Sequence, residues 1–250
     1  MPPLLLDAPP VVPWETWYPE WAKIARPDPS EGSHVLFDGP TRSGKTVLAR
    51  YLARLRSFVV VFGTKPNDSS LDAYLEEGYT RIEVWPPRPR DWKEGGWDDT
   101  EARFILWPKI KKRDDLRSPK HREQYAKCMD TAFVNGGWTL VIDEGLWVSS
   151  RTGLNLGQEL SDIAYGGASN AVSMYLLLQR PSGLPRVTWS SVMDLMQFHA
   201  GVTNDLRELA SLSTYEPRDV VSAVKELEGH QFLHLPCRGG ATWSVSEVVL

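Results

Sequence analysis

Val35-Leu36-Phe37-Asp38-Gly39-Pro40-Thr41-Arg42-Ser43-Gly44-Lys45-Thr46 is the stretch from which the rest of the chain can be read. A short apolar run leads into a glycine-bounded turn. Lys45-Thr46 then opens a segment with apolar residues at Val47, Leu48, Tyr51, Leu52 and Leu55, the spacing of one helix face. Strand, loop and helix follow in that order, and the loop fits G-x-x-x-x-G-K-[ST], the phosphate-binding P-loop. In such a loop the backbone N–H groups point inward and the helix N-terminus adds positive potential. Gly39, Pro40, Thr41, Arg42, Ser43 and Gly44 are therefore expected to wrap phosphate, and Lys45 to neutralise its charge. The Thr46 hydroxyl is expected to ligate Mg²⁺. The reading implies binding of a nucleoside triphosphate.

Outward from this stretch, Phe58-Val59-Val60-Val61-Phe62 is an unbroken apolar run, as expected of a parallel strand buried on both faces. Leu71–Glu77 reads as a helix, Tyr79–Trp85 and Arg103–Trp107 as strands, and Pro86–Gly96 between them as a surface loop. A helix is predicted to run up to Asn135-Gly136-Gly137, where glycine suits the C-terminal cap. Trp138–Asp143 and Val172–Leu178 are the next buried strands, with a helix near Leu156–Ala164 between them. Helices around Asp205–Leu212 and Pro217–Leu227 and strands at Gln231–Leu235 and Thr242–Val249 complete the pattern. Strands alternating with helices predict an α/β fold, a three-layer αβα sandwich around a mainly parallel sheet. Residues 31–250 are read as one domain. Residues 1–30 are proline-dense, so a continuous helix or central strand is excluded there. They read as an extended arm with one short helix, in which Trp14, Trp17 and Trp21 share a face. The arm is expected to staple onto its own domain or to clasp a neighbouring subunit.

A second group of residues says what such a site does with its nucleotide. Thr139-Leu140-Val141-Ile142 delivers Asp143 and Glu144 to the C-terminal end of a strand, where α/β sheets hold ligands. Asp143 is suited to hold Mg²⁺, and Glu144 to polarise a water for in-line attack on the γ-phosphate. Gln179 ends the strand Val172–Leu178 and is placed to sense that phosphate or water. Thr64-Lys65-Pro66-Asn67 comes near the guanine-reading [NT]-K-x-D pattern. Asn67 stands where an Asp is required, however, and the segment precedes the Asp-Glu strand rather than following it. A GTPase is excluded on both counts.

Composition sets the remaining bounds. With 42% hydrophobic residues in 250, the chain can fill a full α/β core. The net charge of −4 gives no global argument for nucleic acid, which leaves only a local one. Cys128 and Cys237, the two cysteines, form neither a disulfide framework nor a metal-spacing cluster and fit a reducing cytosol. No apolar run of membrane-spanning length occurs, and Leu4-Leu5-Leu6 is too short for a signal peptide. A cytoplasmic protein is expected.

From the P-loop through Thr64-Lys65-Pro66 and Asp143-Glu144 to Gln179-Arg180-Pro181-Ser182, residues 33–235 resemble, in motif order, the FtsK/HerA superfamily of DNA-pumping ATPases. The resemblance implies a RecA-like (ASCE) P-loop core that uses ATP and Mg²⁺ and assembles as a hexameric or pentameric ring around double-stranded DNA. Genome-packaging ATPases and conjugation or export motors belong to that superfamily, with a portal, capsid or secretion-type complex as docking partner. By motif position, Lys45 and Thr46 would take phosphate and Mg²⁺, Asp143 the metal, Glu144 the water, and Gln179 the γ-phosphate. The chain departs from the pattern where family members carry an arginine upstream of that Gln, since it reads Gly167-Ala168-Ser169 there. No membrane anchor or DNA-reading tail of the kind found in cell-division members is expected, which fits a phage or mobile-element protein better. Arg151, in the loop Ser149-Ser150-Arg151-Thr152-Gly153, is the first candidate for an arginine reaching a neighbour's site, with Arg180 second and Arg186 and Arg207 behind it. Lys109–Arg122 is the densest positive block, and Lys109, Lys111, Lys112 and Arg113 are its candidate DNA contacts. Two alternatives stay open. One is a small-molecule kinase, for which Arg81, Arg88 and Arg90 would serve a lid. The other is an ATP-bound scaffold or virion component that does not hydrolyse.

Overall fold

The apolar runs become adjacent strands of one sheet. The computed structural model describes residues 8–25, 31–112, 115, 117–180, 184–199, 203–237 and 242–249. Its strands are β1 (Val35–Asp38), β2 (Phe58–Phe62), β3 (Thr80–Ile82), β4 (Ala102–Leu106), β5 (Trp138–Ile142), β6 (Ser173–Leu178), β7 (Asp194–Phe198), β8 (Gln231–Pro236) and β9 (Ser244–Glu247). They are ordered β3-β4-β2-β5-β6-β1-β7-β8-β9. Every pair from β3 to β7 is parallel, and β8 and β9 add an antiparallel hairpin beside β7.

The helices are α1 (Trp14–Ala25), α2 (Lys45–Ala53), α3 (Asp72–Glu76), α4 (Pro89–Gly95), α5 (Pro119–Asn135), α6 (Gly145–Ser149), α7 (Gly157–Asp162), α8 (Arg186–Ser190), α9 (Thr203–Ala210) and α10 (Pro217–Lys225). Successive strand residues point to opposite faces, so each central strand serves two cores. Leu36, Val60, Phe62, Leu140, Ile142 and Leu176 pack with Tyr125 and Met129 of α5, Leu160 of α7, Leu206 of α9 and Val220 of α10. Val35, Phe37, Val59, Val61, Val141 and Tyr175 pack on the other face with Leu48 and Leu52 of α2, Tyr74 of α3 and Trp17 of α1. This is the three-layer sandwich the alternation predicts.

The N-terminal segment lies on its own chain. Val11 bridges Val245 in parallel beside β9, and α1 then folds back across the hairpin. Trp17 and Trp21 are 4% and 2% exposed, and the Trp17 ring meets Phe232 edge-on at 4.8 Å. Truncating aromatics so buried costs about 3–5 kcal/mol, so α1 is held by packing although Pro19 interrupts its hydrogen-bond ladder.

Several expectations need correction. Pro86–Gly96 contains α4. Its proline sits at the first helical position, where the missing N–H costs nothing, and Asp91 Oδ2 accepts from the Arg88 backbone N–H at 2.8 Å. The strand expected over Tyr79–Trp85 narrows to β3. The loop after Glu144 holds the short α6, and α8 and β7 were not anticipated. By contrast, α5 ends at Asn135 with Gly136 at φ 71°, as expected.

Candidate active site

The site begins where β1 hands over to α2. Gly39 has φ 152°, and a Cβ there would come within 2.7 Å of Phe198 Cβ, so the backbone approach to β7 requires glycine. Gly44, at φ 105°, turns the loop into α2. Arg42, at φ 66°, is a rarer left-handed residue of the kind held at ligand-binding loops. Lys45 is buried, and its Nζ donates to the carbonyls of Gly39 and Pro40, each at 2.7 Å. Burial pulls the Lys45 ammonium down from its ordinary value, while Asp143, Asp38 and Glu144 pull it back up. The loop thus holds a positive charge at its centre.

Sheet order supplies the rest. β6 lies between β1 and β5, so the C-terminal ends of these three strands stand side by side. They carry the P-loop, Gln179 and the pair Asp143-Glu144. Thr46 Oγ1 donates to Asp143 Oδ2 at 3.4 Å, and the Glu144 backbone N–H donates to Asp143 Oδ1 at 2.9 Å. Burial raises the Asp143 carboxyl above the ordinary range, with Lys65 opposing. Glu144 occupies a left-handed turn (φ 57°, ψ 47°) at the start of α6. Its Oε1 accepts from Gln179 Nε2 at 3.1 Å and from Lys65 Nζ at 3.0 Å. A cleft of about 310 Å³ joins these groups, lined by Thr41, Arg42, Lys45, Lys65, Glu144 and Gln179 among others. Two oxygen donors, the Thr46 hydroxyl and the Asp143 carboxylate, fit a hard cation such as Mg²⁺, which takes few protein ligands and completes its shell with water and phosphate.

No protein-family model and no curated protein sequence matches the chain. Solved structures do. The DNA-packaging ATPase B204 of Sulfolobus turreted icosahedral virus is similar at TM-score 0.61 and 15% identity, over 88% of this chain and 100% of that one. The genome-packaging NTPase B204 of Sulfolobus turreted icosahedral virus 2, solved with AMPPCP, is similar at TM-score 0.56 and 16% identity, over 89% and 100%. VirB4 of Thermoanaerobacter pseudethanolicus is similar at TM-score 0.59 and 10% identity, over 90% and 91%. The fold is that of a RecA-like P-loop ATPase.

Within this RecA-like core, the P-loop residues, Asp143, Glu144 and Gln179 are brought together. Arg151 is exposed in the turn after α6, and Arg180 is exposed beyond β6; neither lines the cleft of its own chain. Lys109, Lys111 and Lys112 are exposed between β4 and α5, at the sheet edge that carries the P-loop. Arg113, Pro181 and Ser182 lie outside the described residues. Sequence reasoning missed Lys65 as a site residue, dismissing it with the guanine-reading pattern. It follows β2, and β2 pairs with β5 in parallel, which brings Lys65 beside Glu144. Two apolar strands ending in Lys and Asp-Glu were the available signal. Sequence reasoning also missed Asp38 and Gln197, a buried pair under the P-loop.

Proposed function

We propose that the chain is an ATP-hydrolysing, Mg²⁺-dependent DNA translocase motor, a viral genome-packaging ATPase or a related FtsK/HerA-type pump. The observation that carries this reading is the contact of Gln179 with Glu144 across the P-loop cleft. A polar strand end and an acidic residue, joined at one carboxylate oxygen beside the phosphate loop, are what water activation and phosphate sensing require. Lys45 would hold phosphate, and Glu144 would take the proton of the attacking water. Gln179 would bind Glu144 or the water according to the phosphate state. Thr46 and Asp143 would hold Mg²⁺, which when bound offsets the negative charge of the phosphates. The similar solved structures named for DNA packaging support the choice of substrate class. A working motor of this kind assembles as a hexameric or pentameric ring on double-stranded DNA and docks on a portal, capsid or secretion-type complex.

A small-molecule kinase is less well supported. Arg81 lies 4.1 Å over the Trp107 ring, Arg88 caps α4 through Asp91, and Arg90 also pairs with Asp91. None of the three lines the cleft. The test is phosphate release with Mg²⁺ and ATP, with and without double-stranded DNA. Glu144→Gln should bind ATP while turnover falls by about 10² or more, and Lys45→Ala should lose ATP binding by calorimetry. Hydrolysis by Glu144→Gln at the wild-type rate would remove Glu144 from the mechanism. No phosphate release under any DNA condition would favour a non-catalytic ATP-bound component.

A further inference from the structure

The C-terminal edge of the sheet carries a line of contacts that begins outside the P-loop cleft. β4, β2, β5 and β6 are neighbours in that order, and all run parallel. Each therefore delivers the residues just past its end to the same edge. Trp107 follows β4, Lys65 follows β2, Glu144 follows β5 and Gln179 follows β6. Trp107 Nε1 donates to the Lys65 carbonyl at 2.7 Å, and Lys65 Nζ donates to Glu144 Oε1 at 3.0 Å. Gln179 Nε2 donates to the same oxygen at 3.1 Å. One carboxylate oxygen offers about two lone-pair sites, so Lys65 and Gln179 together fill Oε1.

Trp107 is fixed by its surroundings. Its ring is buried against the Gly63 backbone, where an added Cβ would come within 2.7 Å of Trp107 Cγ, so only glycine admits the indole there. The Arg81 guanidinium lies 4.1 Å over the ring. The Trp107 backbone N–H donates to the Ile82 carbonyl at 2.8 Å, and Tyr125 Oη donates to the Gly63 carbonyl at 2.6 Å. Lys65 is less constrained. Its side chain is 45% exposed, and Asp68 Oδ2, 3.9 Å from Nζ, offers it a second carboxylate. Pro108 and the exposed Lys109, Lys111 and Lys112 come directly after Trp107. The Lys111 and Lys112 backbone N–H groups donate to Asp115 Oδ2 at 2.8 and 3.1 Å, which folds the basic segment into a turn with Trp107 at its root.

We propose that Trp107 is a positioning residue for Glu144: by fixing the Lys65 backbone it seats the ammonium on Oε1, and DNA phosphates gripped by Lys109, Lys111 and Lys112 shift the indole and release that oxygen to the attacking water. The inference rests on the reading of Glu144 as the water-activating group and names what restrains it. With the segment unbound, Glu144 stays engaged and hydrolysis is slow. With it bound, Lys65 moves to Asp68 and Glu144 is free. A ligand shifts such an equilibrium only through a contact that differs between the two states, and here that contact is the basic segment rooted at Trp107.

Trp107→Phe keeps a ring against Gly63 and Arg81 and removes the indole N–H. ATP turnover without DNA should rise about fivefold, the worth of one hydrogen bond, with KM for ATP and affinity for double-stranded DNA unchanged. Stimulation by DNA should shrink by a similar factor, because the restraint is already gone. A double-mutant cycle separates this from a merely structural role: in a Lys65→Met background, Trp107→Phe should change turnover no further. Basal turnover of Trp107→Phe at or below the wild-type rate would overturn the proposal. So would undiminished DNA stimulation, or the same rise in the Lys65→Met background, which would show that Trp107 acts without Lys65. A wild-type protein that releases no phosphate with or without DNA would instead defeat the reading of Glu144, and its restraint with it.

Discussion

Asp38 ends β1 at 3% exposure, and its partner is Gln197, whose Nε2 donates to Oδ2 at 2.9 Å. Asp38 Oδ1 and Gln197 Oε1 are both buried without hydrogen-bond partners among the described residues. Burial pushes the carboxyl up to about 6, against the pull of Gln197 and Lys45. The native chain therefore holds the carboxyl proton more tightly than the unfolded one. Stability should fall as pH rises from the ordinary carboxylate value to about 6, and stay lower above it. Asp38→Asn keeps the acceptor for Gln197 Nε2 and removes the buried charge. It should stabilise the protein at neutral pH by on the order of 2 kcal/mol, with the gain fading in acid. Urea unfolding at the two pH values checks this, and an equal gain at both would show that the proton is not involved. Lys65 calls for a different test. The Lys65 ammonium occupies Glu144 Oε1, an oxygen that would otherwise be open to the attacking water. Lys65→Met should raise ATP turnover measured without DNA several-fold. A drop of tenfold or more would mark Lys65 as a phosphate ligand instead.

At the scale of elements, what could be read was what burial on both faces imposes. β2, β5 and β6 are central parallel strands, so their sequences are nearly continuous apolar runs, and the P-loop has fixed spacing. β7 was illegible because Asp194 and Gln197 interrupt its apolar pattern. Asp194 serves His234 on β8 at 2.7 Å, and Gln197 serves Asp38 on β1. Both are contacts between distant parts of the sequence, which no local window contains. α4 was hidden by proline, arginine and glycine, whose placement at a helix start and end is visible only once the cap is seen. The segment between β4 and α5 is also an element-scale question. Trp107, just before it, donates its indole N–H to the Lys65 carbonyl at 2.7 Å, so this segment is tied to the residue that pairs with Glu144. If Lys109, Lys111 and Lys112 grip DNA phosphates, replacing all three with Ala should flatten the slope of log affinity against log salt, by about one counterion for each lost contact. It should also reduce the stimulation of ATPase by DNA. Unchanged slope and unchanged stimulation would move the DNA contact elsewhere.

At the scale of the whole molecule, the cleft has cations for the resting charge of a triphosphate in Lys45 and Lys65, but among the described residues no arginine other than Arg42 lines it. Phosphoryl transfer spreads negative charge over the transferring group, and a guanidinium supplied from outside can be worth 10³–10⁵ in rate. The upstream position expected to carry it reads Gly167-Ala168-Ser169, and Ala168 opens a helical turn with no cation. In a ring the missing group would come from a neighbour, so it must be exposed and near the sheet edge where nucleotide binds. Arg151 is exposed and follows α6, the helix that Glu144 itself begins. Arg180 is the second choice, since it adjoins Gln179 and is equally exposed. The decisive experiment mixes two inactive proteins, Lys45→Ala and Arg151→Ala. If Arg151 acts across an interface, mixed rings contain sites with an intact P-loop on one side and an intact arginine on the other, and ATPase activity should reappear. It should peak near equal proportions, because activity then depends on unlike neighbours. Recovery could not occur if Arg151 served only its own subunit, since no subunit would hold both functional parts. An Arg151→Ala protein as active as wild type would transfer the question to Arg180, where the same mixing applies.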